Sequence, residues 1–180
     1  MKIMIASDLH GSAFYTEKLM TAMDREAPDE LWLLGDLLYH GPRNDLPRGY
    51  APKAVITLLN ERKERLLCVR GNCDAEVDQM VLDFPIMADY AMLSVDDMTL
   101  CATHGHVYSP DHLPPMAAGG VLLSGHTHVP LCEKQGNTLC LNPGSVSIPK
   151  NDSPHGYILY ENRTFCWKTL EGETWQAHSL

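Results

Sequence analysis

The sequence predicts an α/β protein in which two sheets pack face to face with helices outside. Three observations carry this. The first seventy or so residues alternate apolar, strand-like runs with amphipathic helical stretches, the pattern of a parallel sheet with crossover helices. Beyond about residue 90 the apolar runs are short and separated by turns, the pattern of hairpins. Five of the apolar runs end in Asp, Asn or His beside glycine.

Taken in order, KIMIAS (2–7) reads as a buried strand. Residues 13–26 place Leu19, Met20 and Met23 at helical spacing, an amphipathic helix. ELWLL (30–34) is a second buried strand, followed by Gly35 and Asp36. Residues 37–52, rich in Gly, Pro and polar side chains, form a long loop. Residues 52–65 predict a second helix, with Val55, Ile56, Leu58 and Leu59 as its apolar face. LLCV (66–69) is a third strand, followed by RGNCD. From there AMLSV, MTLCATH, GVLLSGH, PLCEK, TLCLNPGS, GYILYE and TFCWKTL read as short strands, with turns at 96–97, 136–137 and 161–162. These hairpins predict a second, mostly antiparallel sheet. No repeat, linker or low-complexity tract interrupts the chain, so residues 1–180 are expected to form a single domain.

Bulk composition narrows the function. Hydrophobic content of 44% and charged content of 21% are ordinary for a globular protein. A net charge of −9 without any Lys/Arg run excludes long nucleic acid as partner, because such binding rests on phosphate neutralisation. No run approaches the ~18 apolar residues of a membrane span, so no membrane partner is expected. MKIMIAS leads straight into DLHG and does not resemble an export signal. The six cysteines include no CxxC pair, which fits reduced thiols and a cytoplasmic location.

The chemistry sits at the strand ends. Asp8 and His10 follow the first strand, Asp36 the second, and Asn72, Cys73 and Asp74 the third; His104 and His106 follow MTLCAT, and His126 and His128 follow VLLSG. In an extended segment alternate side chains share a side, so D-L-H and H-T-H can each aim both groups at one point. Ligands of open α/β sheets bind beyond the carboxyl ends of strands, where residues distant in sequence converge. Oxygen and imidazole donors without a thiolate cluster suit Mn, Fe or Zn. Seven donors exceed what one tetrahedral ion uses. A two-metal site sharing a carboxylate fits better.

In this order and spacing, DLH, GD, GNCD, THGH and GHTH resemble the motifs of the calcineurin-like metallophosphoesterases, and in particular their small single-domain phosphodiesterases; NPGS at 142–145 resembles the same subgroup. The resemblance implies a four-layer α/β/β/α sandwich, in agreement with the strand pattern. It implies that Asp8, His10, Asp36 and His128 hold one divalent ion and Asp36, Asn72, His104 and His126 the other, with Asp36 as bridge. Mn2+ is the expected ion, with Zn2+, Fe2+, Ni2+ or Co2+ as substitutes. A hydroxide between the ions would attack the phosphorus of a small phosphodiester. Two divalent ions against two carboxylates leave the site about two units positive, which favours an anionic diester.

Cys73 departs from the pattern, since many relatives carry histidine there to contact the phosphate or the leaving-group oxygen. A thiol donates poorly, so Cys73 is either a weak acid and substrate contact or a small residue filling the space of the lost histidine. His106 is either a phosphate contact or a loop residue. The loop carrying His40, Arg43 and Arg48 is the candidate substrate lid, and Arg70 either turns to phosphate or pairs with a carboxylate. Asp36, Asn72, Cys73, Asp74 and His106 are the expected catalytic set. The same fold also serves phosphomonoesterases and a non-catalytic retromer-type scaffold that lacks key metal histidines. All four ligand histidines are present here. Exposed apolar strand edges in the C-terminal half are candidate surfaces for a homo-oligomer.

Overall fold

The computed structural model describes residues 1–180. The first strand, β1 (Ile3–Ala6), is completely buried and lies at the centre of a six-stranded sheet. It leads to α1 (Ala13–Glu26), which spans the expected residues. Ser12 caps this helix, its Oγ accepting from Tyr15 N at 3.2 Å, and Ala27 ends it in the left-handed conformation. Thr16, Leu19, Met20 and Met23, three or four residues apart, form its buried face. β2 (Glu30–Leu33) pairs parallel with β1.

The second helix is shorter than its apolar pattern predicts. α2 (Pro52–Asn60) gives way to a single 3₁₀ turn at Lys63–Arg65. Asn60 diverts the chain: its side-chain amide donates to Val81 O and its side-chain oxygen accepts from Asp83 N, both at 2.9 Å. β3 (Leu66–Cys68) then pairs parallel with β2, and the one-turn helix α3 (Glu76–Gln79) follows.

The second sheet contains β4 (Tyr90–Val95), β5 (Met98–Thr103), β6 (Val121–Leu123), β7 (Leu131–Gln135) and β8 (Thr138–Asn142), in the order β4-β5-β6-β8-β7. The expected antiparallel character holds for only half of its pairings. β4–β5 and β7–β8 are antiparallel, whereas β5–β6 and β6–β8 are parallel. The last hairpins do not join this sheet. β9 (Gly156–Glu161), β10 (Thr164–Thr169) and β11 (Thr174–Ser179) return to the first sheet, and β9 lies antiparallel against β1. The β9–β10 turn is Asn162–Arg163, one residue later than expected, with both residues at positive φ.

Two cores follow from this layering. Ile3, Ile5, Trp32 and Leu34 of the first sheet meet Leu100, Ala102, Val121, Leu123, Leu139 and Leu141 of the second. On the other face of the first sheet, Met4, Ala6, Leu31 and Leu33 pack under Leu19, Met23, Val55 and Leu59 of the helices. Each such buried aliphatic side chain contributes roughly 1.5–3 kcal/mol of transfer free energy. The architecture is thus two mixed sheets flanked by few helices. The outer face of the second sheet, at Cys101, Leu122 and Cys140, is covered by Leu113 and Met116 of the 107–120 segment, which is not helical. No helix is long and apolar enough to cross a membrane.

Candidate metal centre

β1, β2 and β3 run parallel in one sheet, and β5, β6 and β8 run parallel in the other. All six carboxyl ends contribute to one site. The chain crosses between the sheets there: His104 Nδ1 donates to Leu34 O at 2.6 Å, and Val146 N donates to Ser7 O at 3.0 Å.

The side chains converge by a different backbone from the one their spacing suggests. β1 ends at Ala6 and β6 at Leu123, before their motifs begin. Asp8, His10, Asp36, His126 and His128 all lie at positive φ, between 45° and 67°. The D-x-H and H-x-H pairs are therefore turns with left-handed ligand residues, and strand alternation plays no part. Non-glycine residues adopt this region at a cost, and such strain gathers at functional sites.

At the centre, Asp8 Oδ1 stands 3.1 Å from His128 Nε2 and 3.5 Å from His10 Nε2. Asp36 Oδ2 stands 3.6 Å from His10 Nε2 and 3.5 Å from His104 Nε2. Asn72 Oδ1 lies 3.0 Å from His104 Nε2. The outer nitrogens of three imidazoles are committed. His10 Nδ1 donates to Tyr39 O at 2.8 Å, His104 Nδ1 to Leu34 O at 2.6 Å, and His128 Nδ1 to Ile148 O at 2.8 Å. Since a carbonyl only accepts, each neutral ring leaves Nε2 as a bare lone pair facing inward, the arrangement typical of metal-binding histidines. His126 is partly exposed, with its ring centroid 5.1 Å from that of His104 and its backbone N donating to Asp8 Oδ2 at 3.0 Å.

These residues fit a divalent cation. Asp8 Oδ1 is buried and has no hydrogen-bond partner, while its Oδ2 accepts from Ser7 Oγ and His126 N. A bare buried carboxylate oxygen beside two imidazole nitrogens calls for a positive charge. Donors bound ~2.1 Å from one ion lie roughly 3.0–3.4 Å apart, close to the spacings here. Between protein groups alone, burial works against the Asp8 carboxylate, yet His10 and His128 hold its pKa well below the usual range. Burial likewise opposes charge on His104, but Asp36 raises it to about 9. Without a metal, His10 and His104 are thus shifted toward the charged form, His104 beside Asp36, where the carboxylates need positive charge.

The sequence-predicted residues divide by position. Asp8, His10, Asp36, Asn72, His104 and His128 meet at the centre, and His126 flanks it. Cys73 touches the same cluster: its N donates to Asp36 Oδ1 at 2.8 Å, and its thiol accepts from Asn72 Nδ2 at 3.3 Å. Burial and then Asp36 push this thiol up to about 12. His106 is exposed at the rim, 5.4 Å from His104 between ring centroids. Asp74 is not placed to act on a substrate, contrary to expectation. It is buried, and its oxygens accept the backbone N–H groups of Asp36, Leu37 and Gly71 at 2.7–2.9 Å. It fastens the Asp36 turn to the Asn72 turn. Arg48 lies over the Phe14 ring at 3.8 Å, and Arg70 Nε reaches the Asp74 backbone carbonyl and no carboxylate.

Several supporting residues lie outside the ligand motifs. Ser145 and Ser147 both donate through Oγ to Asp8 O, at 2.9 and 3.0 Å. Asn142 Nδ2 donates to Gly125 O and Thr127 Oγ1 at 2.8 and 3.1 Å. The NPGS segment is thus a brace for the Asp8 and His126–His128 turns. Gly125 is required by space, since a Cβ there would meet Ser7 Oγ and Asp8 Oδ2. A cavity of about 460 Å³ opens over the cluster, lined among others by His10, Asp36, Asn72, Arg43 and Lys150.

Comparison with known proteins agrees with this geometry. The model of the calcineurin-like phosphoesterase superfamily domain matches residues 1–164. The chain is 47% identical over 162 residues to phosphodiesterase YfcE of Escherichia coli K12, covering 90% of this chain and 88% of that one. The solved structure of the E. coli phosphoesterase YfcE superposes with a TM-score of 0.96 over 99% of both chains, at 43% identity. Vps29 of Chaetomium thermophilum superposes with a TM-score of 0.63 over 99% of this chain and 98% of that one; at 15% identity it shares the fold alone. With the family model matched over residues 1–164 and 47% identity to a relative over nine-tenths of its length, the chain belongs to the calcineurin-like phosphoesterase superfamily.

Proposed function

We propose that this chain is a metal-dependent phosphodiesterase that hydrolyses small phosphodiesters at a dinuclear centre, with residues 1–180 acting as one domain. The position of Asp36 carries the reading: a single carboxylate oxygen stands 3.6 Å from His10 Nε2 and 3.5 Å from His104 Nε2, between the two halves of the ligand set. Asp8, His10, Asp36 and His128 would hold one ion, and Asp36, Asn72, His104 and His126 the other. When bound, the ions supply Lewis-acid charge and an acidified water for in-line attack at phosphorus. Asp36 sets the spacing of the two halves, and Asp74 holds Asp36 in place through the backbone. Cys73 stands beside Asn72 as a weak donor to the departing oxygen, and His106 at the rim as a contact for phosphate.

Asp, Asn and His donors suit Mn2+, which we take as the working ion, with Zn2+, Fe2+, Ni2+ and Co2+ as substitutes. Six free cysteines support a reducing, cytoplasmic setting. Self-association would use the β4 edge, where Tyr90 and Met92 are exposed. The name of the E. coli relative supports a diester as substrate.

The test is turnover of bis(p-nitrophenyl) phosphate and p-nitrophenyl phosphate by metal-stripped protein supplied with Mn, Ni, Co, Zn or Mg. Diester hydrolysis should return with Mn2+, and Asp36→Asn should lower it by about a hundredfold or more. Full activity in that variant, with the fold intact by circular dichroism, would rule out the shared carboxylate.

A further inference from the structure

We infer that the cavity above the metal centre selects diesters carrying a second anionic group, which Arg43 and Lys150 receive. The inference rests on the phosphodiesterase reading and deepens it.

Arg43 and Lys150 are the only lysine or arginine side chains lining the cavity. Both are exposed, and neither has a carboxylate partner, whereas Lys18, Arg62, Lys63 and Lys168 are all paired elsewhere on the surface. Their backbones are held in tight turns against the site. Lys150 N donates to His128 O at 3.1 Å, and its carbonyl accepts from Ser153 N and Oγ at 3.1 and 2.6 Å. Asn151 and Asp152, at positive φ, turn the chain immediately after it. On the other wall, Gly41 packs so closely that a Cβ would lie 3.3 Å from Cys73 Sγ, and Asn44 Nδ2 closes the turn onto His40 O at 2.8 Å. Arg43 sits within that turn. One cation is therefore tied to the His128 turn and the other to the loop resting on Cys73.

The remaining lining points the same way. Only one of the 12 lining residues is hydrophobic, and none is Phe, Tyr or Trp. The cavity offers no large apolar ring for stacking a base, so discrimination among diesters rests mainly on charge and hydrogen bonding. Asp36 is the only acid in the lining, and metal ions would neutralise it. In a chain of net charge −9, a dianionic substrate is repelled at long range. Two unpaired cations beside the reacting phosphate reverse that field locally.

The matched probes are the p-nitrophenyl ester of thymidine 5′-phosphate and the same ester bearing a 3′-phosphate, assayed with Mn2+. The wild-type protein should show a KM lower by about tenfold for the bisphosphate, the sum expected of two exposed ion pairs, at similar kcat. Arg43→Gln/Lys150→Gln should abolish that difference, and each single variant should remove part of it. p-Nitrophenylphosphorylcholine, which places a positive charge in the same region, should gain in kcat/KM in the double variant. Equal KM values for the two esters in the wild type, or a preference that survives the double substitution, would overturn the inference. Absence of metal-dependent turnover on every ester would instead overturn the phosphodiesterase reading itself.

Discussion

Residue by residue, the site is a competition between protons and cations for the same lone pairs, and Cys73 is the member to which we propose to assign a part in specificity. In the metal-free site burial and Asp36 push its thiol up to about 12, and a thiol is in any case a weak hydrogen-bond donor. Poor donation matters least when the leaving group needs no proton, which favours activated diesters over monoesters. Cys73→His restores a group able to act as an acid at neutral pH while keeping the backbone donation to Asp36. The ratio of monoester to diester kcat/KM should then rise by roughly tenfold to a hundredfold, the lower range of general acid catalysis. An unchanged ratio would reduce Cys73 to a space-filling residue.

At the level of the elements, each ligand depends on a turn held by groups outside the motifs. Ser145 and Ser147 converge on the Asp8 carbonyl, and this double contact holds the left-handed turn that presents the carboxylate. Ser145→Ala/Ser147→Ala should weaken Mn2+ binding by about tenfold to a hundredfold, the range for supports behind metal ligands. Titration calorimetry measures this directly, and wild-type affinity would refute it. This brace was only half legible in the sequence. NPGS stands out as a motif, but its hydrogen bonds to a residue 137 positions away do not. The ligands themselves were legible because each follows an apolar strand and stands within three residues of a glycine. Their left-handed backbone was less so, although Asp and His enter that region more readily than most residues. Sheet membership was not legible. β9 and β10 read as good strands, but nothing in GYILYE or TFCWKT names β1 as the neighbour. β11 carries no strand signal of its own because TWQAHS is polar and mostly exposed, and is held by its ladder to β10. α2 reads too long because ERKER at 61–65 consists of good helix formers, whereas the helix ends at Asn60, whose side chain contacts the 81–83 segment.

For the molecule as a whole, the centre couples stability to metal and to pH. Ions that bind only the folded chain stabilise it by about 2.7 kcal/mol at a hundred times Kd. For a chain of this size, chelation should therefore lower Tm by roughly 5–10 °C. His104 keeps its proton up to about 9, above the ordinary value of 6.5. Its charged pairing with Asp36 therefore stabilises the chelated protein fully below about 6.5 and is lost as pH rises through about 9. The Tm difference between loaded and chelated protein should widen from pH 6.5 to pH 9.5, because the proton that substitutes for the cation departs. Scanning calorimetry at both pH values checks this; a constant difference would remove His104 from the linkage.

The placement of β1 between β2 and β9 has a consequence for how the protein is made. The strand that delivers Asp8 is synthesised long before its antiparallel neighbour, which spans Gly156–Glu161, and the serines that steady Asp8 come only shortly before that neighbour. A growing chain on the ribosome thus lacks a finished pocket until Ser145, Ser147 and the strand at Gly156–Glu161 have emerged. Cofactor loading must wait for that strand, and a nascent product truncated before it would be unable to sequester metal.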